Sequence, residues 1–121
     1  MPHRRLAGVL VLVLFGLLSC ERAASDSAVK ALLSDPAAHD GAMVNLTGTV
    51  TNLDVRVSHR GNAYYTFKLD DGGGRITVFS FGPPPCSNGS WANVEGQFLR
   101  EKKVSGYVFY NQVDATRVIC D

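Results

Sequence analysis

The chain has little excess charge of either sign and no low-complexity or repeated segment. Its 121 residues include 12 Lys and Arg against 11 Asp and Glu, and a leader carrying Arg4 and Arg5 reduces the mature net charge to about −1. This balance argues against a polyelectrolyte binder or a charge-driven membrane protein. The length allows one domain, and 45% hydrophobic residues suffice for a small core.

Residue patterns for catalysis or metal binding are also missing. The histidines are His3, His39 and His59, and none has a nucleophile or carboxylate at a recognisable spacing. Asp70 and Asp71 precede three glycines, a pattern typical of a hairpin turn. No Cys-x-x-Cys or Cys/His spacing occurs. We therefore expect no enzyme activity, no metal site and no cofactor.

The one long apolar run is too short to span a bilayer. Residues 6–18 are apolar, and as a helix they rise about 20 Å against a hydrocarbon core of roughly 30 Å. With the basic residues before it, this run predicts a cleaved leader. Leu17-Leu18-Ser19-Cys20 resembles the bacterial lipoprotein signal, although Leu18 stands where that family usually has a small residue. A type I leader cut after Ala23 or Ala24 is the alternative.

The lipoprotein resemblance implies both a membrane anchor and a cellular location. Residues 1–19 would be the signal peptide, and Cys20 would carry the acyl chains, including palmitate, that hold the protein on a membrane. The expected location is the bacterial cell envelope. Glu21 after the cysteine, rather than Asp, favours the outer membrane over the inner one.

The chain has three cysteines, which divide into one predicted lipid attachment site and one predicted disulfide pair. With Cys20 used for lipid or lost with the leader, Cys86 and Cys120 remain. In an oxidising exported compartment two such cysteines are expected to form a disulfide. The bond would hold the segment after three prolines beside the last strand.

Residues 20–40 are predicted to hold the lipidated cysteine, a polar tether and a short helix, and residues 41–121 one domain. The helix covers residues 27–33, with Asp26 or Ser27 as N-cap and Pro36 after its end. Strands are predicted over residues 44–57, 64–69, 75–81, 94–100 and 107–119, with a bend at Gly48 and a loop over residues 101–106. The predicted inward residues of the second and third strands are Tyr65, Phe67, Leu69, Ile76 and Val78.

Residues 61–82, GNAYYTFKLDDGGGRITVFSFG, followed by VEGQF, resemble an OB-fold of the anticodon-binding and replication-protein-A type. The resemblance covers residues 41 to about 119. It implies an all-β fold, a five-stranded OB-fold barrel preceded here by a short N-terminal α-helix. The triple proline of residues 83–85 departs from the family, because it disfavours the helix that many OB-folds have between strands three and four.

The best candidate site is the outward face of the second and third strands with its flanking loops. In OB-folds this region binds single-stranded nucleic acid or oligosaccharides, with aromatic rings stacking on bases and cations holding phosphates. The alternative is an envelope structural domain, or one that contacts protein or glycan, that binds no nucleic acid. The aromatic face can also be covered by the end of the first strand, by the last strand, or by the N-terminal helix through Leu32 and Leu33. Trp91, Phe98, Tyr107, Phe109 and Tyr110 are interpreted as core or barrel rim. The predicted ligand-binding residues are Arg60, Tyr64, Thr66, Lys68, Arg75, Phe79, Phe81, Lys102 and Lys103.

Overall fold

A computed structural model describes residues 27–121. The predicted signal peptide, Cys20 and most of the tether lie outside the described residues. Within residues 27–121 no helix is both long and apolar enough to cross a membrane.

The chain enters the fold through two short helices. Helix α1 covers Ala28–Ser34, and Ser27 is its N-cap, accepting a hydrogen bond from the Lys30 N–H at 3.1 Å. Val29 and Leu32 are buried on one face of α1, which explains how a helix of two turns is stable. Pro36 follows the end of α1 as predicted, but it also starts a second helix, α2, at Pro36–His39. Proline suits the first position of a helix because it lacks an N–H, and an N–H at that position would have no partner within the helix.

Five strands follow, as the sequence predicts: β1 Met43–Val57, β2 Ala63–Asp70, β3 Arg75–Phe81, β4 Trp91–Val104 and β5 Tyr107–Cys120. The predicted loop over residues 101–106 is wrong. β4 runs on to Val104, and only Ser105 and Gly106, with φ of 49° and 83°, turn the chain into β5. Positive φ at both central residues is the geometry of a tight two-residue hairpin.

Each strand pairs with two others. The order is β1-β2-β3-β5-β4, and β1 pairs with both β2 and β4. The pairs are antiparallel except β3 with β5, which are parallel. The protein is therefore mainly β, with a five-stranded sheet and two short helices.

The connection between β3 and β4 contains no helix, as the three prolines predict. The predicted disulfide joins Cys86 to Cys120, with their Cα atoms 5.5 Å apart. Gly89 N–H donates to the Val50 carbonyl at 2.8 Å, and Val50 N–H donates to the Ser90 carbonyl at 2.9 Å. The segment after the prolines is thus held against both β1 and the end of β5.

The core contains the side chains predicted to point inward from β2 and β3, together with Phe98 and Val113. The bend of β1 lies elsewhere than predicted. Its pairing with β2 shifts register between Thr51 and Asp54, where Asn52 has a φ of 54°. Gly48 instead allows close approach of a neighbouring strand, since a Cβ there would lie 2.5 Å from the Asp70 carbonyl oxygen.

The aromatic residues of β4 and β5 divide between the core and the exposed surface. Phe98 is fully buried, as expected for core. The other four point to solvent, because they lie at the start of β4 or on the hairpin that extends beyond the core. These exposed residues are Trp91, Tyr107, Phe109 and Tyr110.

Candidate ligand-binding groove

The outward face of β2 and β3 carries a cluster of aromatic rings. Register places Tyr64 opposite Phe81 and Thr66 opposite Phe79. The Tyr64 and Phe79 ring centroids are 5.3 Å apart, and those of Phe79 and Phe81 are 5.0 Å apart in an edge-to-face arrangement. Such pairs fix ring orientation, so the cluster is a preformed surface.

Two hairpins extend beyond the core on either side of this face. The first joins β1 to β2 through residues 58–62, and the second joins β4 to β5 through Ser105 and Gly106. The first follows the register shift at Asn52, and in the second Asn111 of β5 has a φ of 54°. Asparagine is among the few residues besides glycine that adopt this left-handed conformation readily.

Between the hairpins lies a groove of about 1130 Å³. Its floor is formed by Tyr64, Thr66, Phe79 and Phe81. This volume exceeds the roughly 300 to 1,000 Å³ of pockets for drug-sized ligands, so the groove has room for a segment of polymer.

Side chains from both hairpins complete the walls. The first hairpin contributes mostly polar and charged groups with one valine, and the second contributes aromatic rings, a lysine, a valine and two polar side chains. The wall residues are Asp54, Arg56, Val57, Ser58, His59, Arg60, Asn62, Lys102, Val104, Ser105, Tyr107, Phe109 and Gln112.

Lys102 is engaged with two partners. Its Nζ lies 3.9 Å from the centroid of the Phe79 ring and 3.0 Å from Asp114 Oδ2. Asp114 also accepts a 2.9 Å hydrogen bond from Nε2 of Gln112, the one buried polar side chain among residues 27–121. The Lys102 side chain is only 19% exposed. One face of Phe79 is consequently covered by the ammonium group and is not free for stacking.

The other charges in the groove come from the first hairpin. Arg56 Nε donates to Asp54 Oδ2 at 2.7 Å. This hydrogen bond, followed by the charges of Asp54 and Tyr64, raises the pKa of Arg56. Arg60 makes no ion pair within the described part of the chain.

Six of the nine predicted site residues line the groove: Arg60, Tyr64, Thr66, Phe79, Phe81 and Lys102. The other three do not. Lys68 donates to Thr77 Oγ1 at 2.6 Å, Arg75 pairs with Asp70 at 3.3 Å, and Lys103 pairs with Glu101 at 3.5 Å. Lys68 and Arg75 lie toward the β2–β3 turn, while Lys103 follows Lys102 in a strand whose successive side chains alternate between faces.

Helix α1 does not cover the aromatic face. It lies at the β2–β3 turn, where Val29 Cγ1 would be 3.2 Å from a Cβ on Gly74. Phe81 is 68% exposed. The face is therefore open to solvent between the two hairpins.

Sequence reasoning missed Tyr107, Phe109 and Gln112 as groove residues. Tyr107 is 66% exposed and Phe109 is also exposed. Their spacing of two positions is a sequence signal, because it places both side chains on one face of a strand. The signal does not identify a groove wall unless residues 101–106 are also strand, because only the paired hairpin extends these rings beyond the core.

Within residues 27–121 no group of three or more His, Cys, Asp or Glu side chains is arranged so that it could hold a metal ion. His59 lies in the first hairpin, and His39 ends α2. What the groove offers is aromatic surface, hydroxyl and amide groups, and paired charges. In comparisons with known proteins, no family model matches the chain, and no curated protein is similar to it.

Proposed function

We propose that this chain is a lipid-anchored, exported OB-fold module that binds a polymer with stackable rings and catalyses no reaction. The strand order and the two partners of each strand support the OB assignment, because that fold is a five-stranded, partly open Greek-key barrel. The OB-fold binds ligands on strands two and three and on the loops that join strands one to two and four to five. The groove is formed from the corresponding elements.

One observation carries the proposal: exposed aromatic rings lie inside a groove, where two hairpins flank them. Phe81 on the floor and Tyr107 on the wall are both largely exposed. Stacking of a ligand ring on an aromatic side chain contributes roughly 1 to 3 kcal/mol per ring. Single-stranded nucleic acid and oligosaccharides both have rings at regular spacing.

The anchor rests on the sequence of residues 1–20. Acylation at Cys20 would attach the domain to the bacterial envelope through the tether of residues 21–27. Labelling with palmitate in a bacterial host tests this. Incorporation that disappears in Cys20→Ala supports the anchor, and equal incorporation in that variant contradicts it.

Binding is tested by titrating the full chain in detergent with (dT)12 and, separately, with hexasaccharides of N-acetylglucosamine and of glucose. Tyr107→Ala and Tyr110→Ala are a matched pair, because both tyrosines are 66% exposed but only Tyr107 lines the groove. We expect Tyr107→Ala to weaken binding about tenfold, and Tyr110→Ala to leave it unchanged. Absence of binding by all three probes, or equal effects of the two variants, contradicts the proposal.

The alternative is an envelope domain that contacts another protein. The observation in its favour is an apolar pair outside the groove: Trp91 and Ile119 are exposed, and they are near neighbours on β4 and β5, since Asn93 lies opposite Ile119. In that case Trp91→Ala would abolish the contact, and Tyr107→Ala would not. Co-purification of the two variants from crosslinked envelopes separates these outcomes.

A further inference from the structure

We propose that the groove selects a weakly charged, ring-bearing polymer, an oligosaccharide, over single-stranded nucleic acid. This inference rests on the proposed function and specifies its ligand class. Its basis is that carboxylates already neutralise most of the cations that a phosphate backbone would need.

Three cations line the groove, and two of them are paired. Arg56 is bonded to Asp54 at 2.7 Å, and Lys102 is bonded to Asp114 at 3.0 Å. To contact either cation, a phosphate would have to displace the carboxylate that already binds it. If the carboxylate stayed in place, its negative charge would repel the phosphate. Of these three groove cations, only Arg60 makes no ion pair with a described residue.

The pair at Lys102 is held in place by its surroundings. Asp114 accepts from Lys102 and from Gln112, and Gln112 is 4% exposed. Lys102 in turn lies against the Phe79 ring. Turning the ammonium toward a ligand would break its contacts with both Asp114 and Phe79.

Outside the groove, the described surface has no net positive charge to guide a phosphate backbone. Arg75 is paired with Asp70, Lys103 with Glu101, and Arg117 with Glu95, whereas Lys30, Lys68 and Arg100 make no ion pair within the described part of the chain. Residues 27–121 contain nine Lys and Arg against nine Asp and Glu. A strand of nucleic acid extending beyond the groove would gain little from this surface, because phosphate contacts supply most of its nonspecific affinity.

The same groups suit a sugar. Sugar rings place their C–H faces against aromatic side chains, and Phe81 and Tyr107 offer exposed rings. Sugar hydroxyls both donate and accept hydrogen bonds, as do Thr66 and Asn62 in the groove. An ion pair such as Arg56 with Asp54 offers a hydroxyl group a donor and an acceptor side by side.

Salt dependence distinguishes the two ligand classes quantitatively. For single strands the slope of log K against log salt is about −0.7 per neutralised phosphate. With Arg60 alone free, (dT)12 binding should weaken only about fivefold between 50 and 500 mM NaCl. If all three cations bound phosphate, the loss would be about 100-fold. Hexasaccharide binding should change less than about twofold, since an uncharged ligand releases no counterions.

The test is calorimetric titration of the full chain in nonionic detergent with the three probes used above. We expect at least one hexasaccharide to bind more tightly than (dT)12. Tighter binding of (dT)12 with a loss near 100-fold would overturn the inference but leave the proposed function intact. Failure of all three probes would overturn both.

A variant that removes the carboxylates paired with Arg56 and Lys102 gives a more direct test. Asp54→Asn combined with Asp114→Asn frees two cations, so (dT)12 affinity at 50 mM NaCl should rise at least tenfold and the slope should steepen toward about −2. The matched control is Glu95→Gln with Glu101→Gln, which frees two cations outside the groove. If the variant with both Asp54→Asn and Asp114→Asn does not fold, Asp54→Asn alone should steepen the slope of log K against log salt to about −1.4. Unchanged (dT)12 binding in folded variants would overturn the inference.

Discussion

Replacing Cys86 and Cys120 together by serine tests how much the fold depends on its disulfide. The two residues are separated by 34 positions. In the chain-entropy treatment, a loop of that length restricts the unfolded chain by about 3.8 kcal/mol at 25 °C. Single domains of this size are stable by only about 5 to 15 kcal/mol, so the bond accounts for a large part of the total.

The double variant should still fold, because hydrogen bonds as well as the disulfide hold this segment. Gly89 and Ser90 are bonded to the backbone of Val50, and Asn88 Oδ1 accepts from the Leu53 N–H at 2.9 Å. The loss of stability is therefore expected to come mainly from the greater conformational entropy of the unfolded chain. With a guanidinium slope of about 2.5 kcal/mol/M, the unfolding midpoint should fall by about 1.5 M.

The measurement is equilibrium unfolding in guanidinium chloride, followed by far-UV circular dichroism, on the full chain in detergent. Wild-type protein reduced with a phosphine should match the serine variant. An alanine variant at both positions controls for the hydroxyl that serine introduces at the buried Cys86. A difference below about 1 kcal/mol between oxidised wild type and either variant would refute the reasoning, as would two free thiols per chain in native protein.

Three further predictions concern single side chains. Gly96→Ala should cost about 2 to 3 kcal/mol, because its Cβ would lie against the Asp114 carbonyl and 2.7 Å from the Ala115 Cα, whereas Gly72→Ala, facing open space at a φ of 93°, should cost only about 1 kcal/mol in the same assay. Phe98→Ala should cost about 3 to 5 kcal/mol in urea unfolding, since Phe98 is fully buried; a loss below 1 kcal/mol would contradict its place in the core. Burial acts to raise the pKa of Asp71, but hydrogen bonds from Ser27 Oγ and from the backbone N–H groups of Val29, Gly73 and Gly74 outweigh it and lower the pKa. Its contribution to stability is therefore complete above the unfolded pKa of about 3.9 and is lost as pH falls through the lower folded value. Asp71→Asn should remove that acid dependence and cost about 1 kcal/mol at pH 7, a modest figure because solvent screens the carboxylate, and unfolding curves from pH 2 to 7 that keep the wild-type slope would contradict this.

Local signals in the sequence were enough to locate most of the fold. Alternation at Tyr65, Phe67 and Leu69 identifies the buried face of β2, since side chains alternate along any strand. Ser27 is one of the two N-cap candidates in the sequence, and it caps the helix in the structure. The Cys86–Cys120 disulfide, which the structure contains, is predicted from the even number of remaining cysteines and the expected export of the chain.

The limits of β4 and β5 could not be predicted in the same way. Glu101, Lys102 and Lys103 are charged, and charged residues next to a glycine resemble a loop. They extend a strand because their partners on β5, Tyr110, Phe109 and Val108, supply the pairing. Strand propensity depends on such partners more than on the residue itself.

The sequence alone determined the mainly β class, the approximate positions of five strands, and the presence of aromatic rings and cations on β2 and β3. The tertiary structure decided which rings are open and which charges remain unpaired. Lys102 meets Asp114, twelve residues away, and covers Phe79 only because the β4–β5 hairpin lies beside β3. Net charge is additive along a chain, whereas the charge available to a ligand depends on distances between side chains, and these exist only in the folded protein.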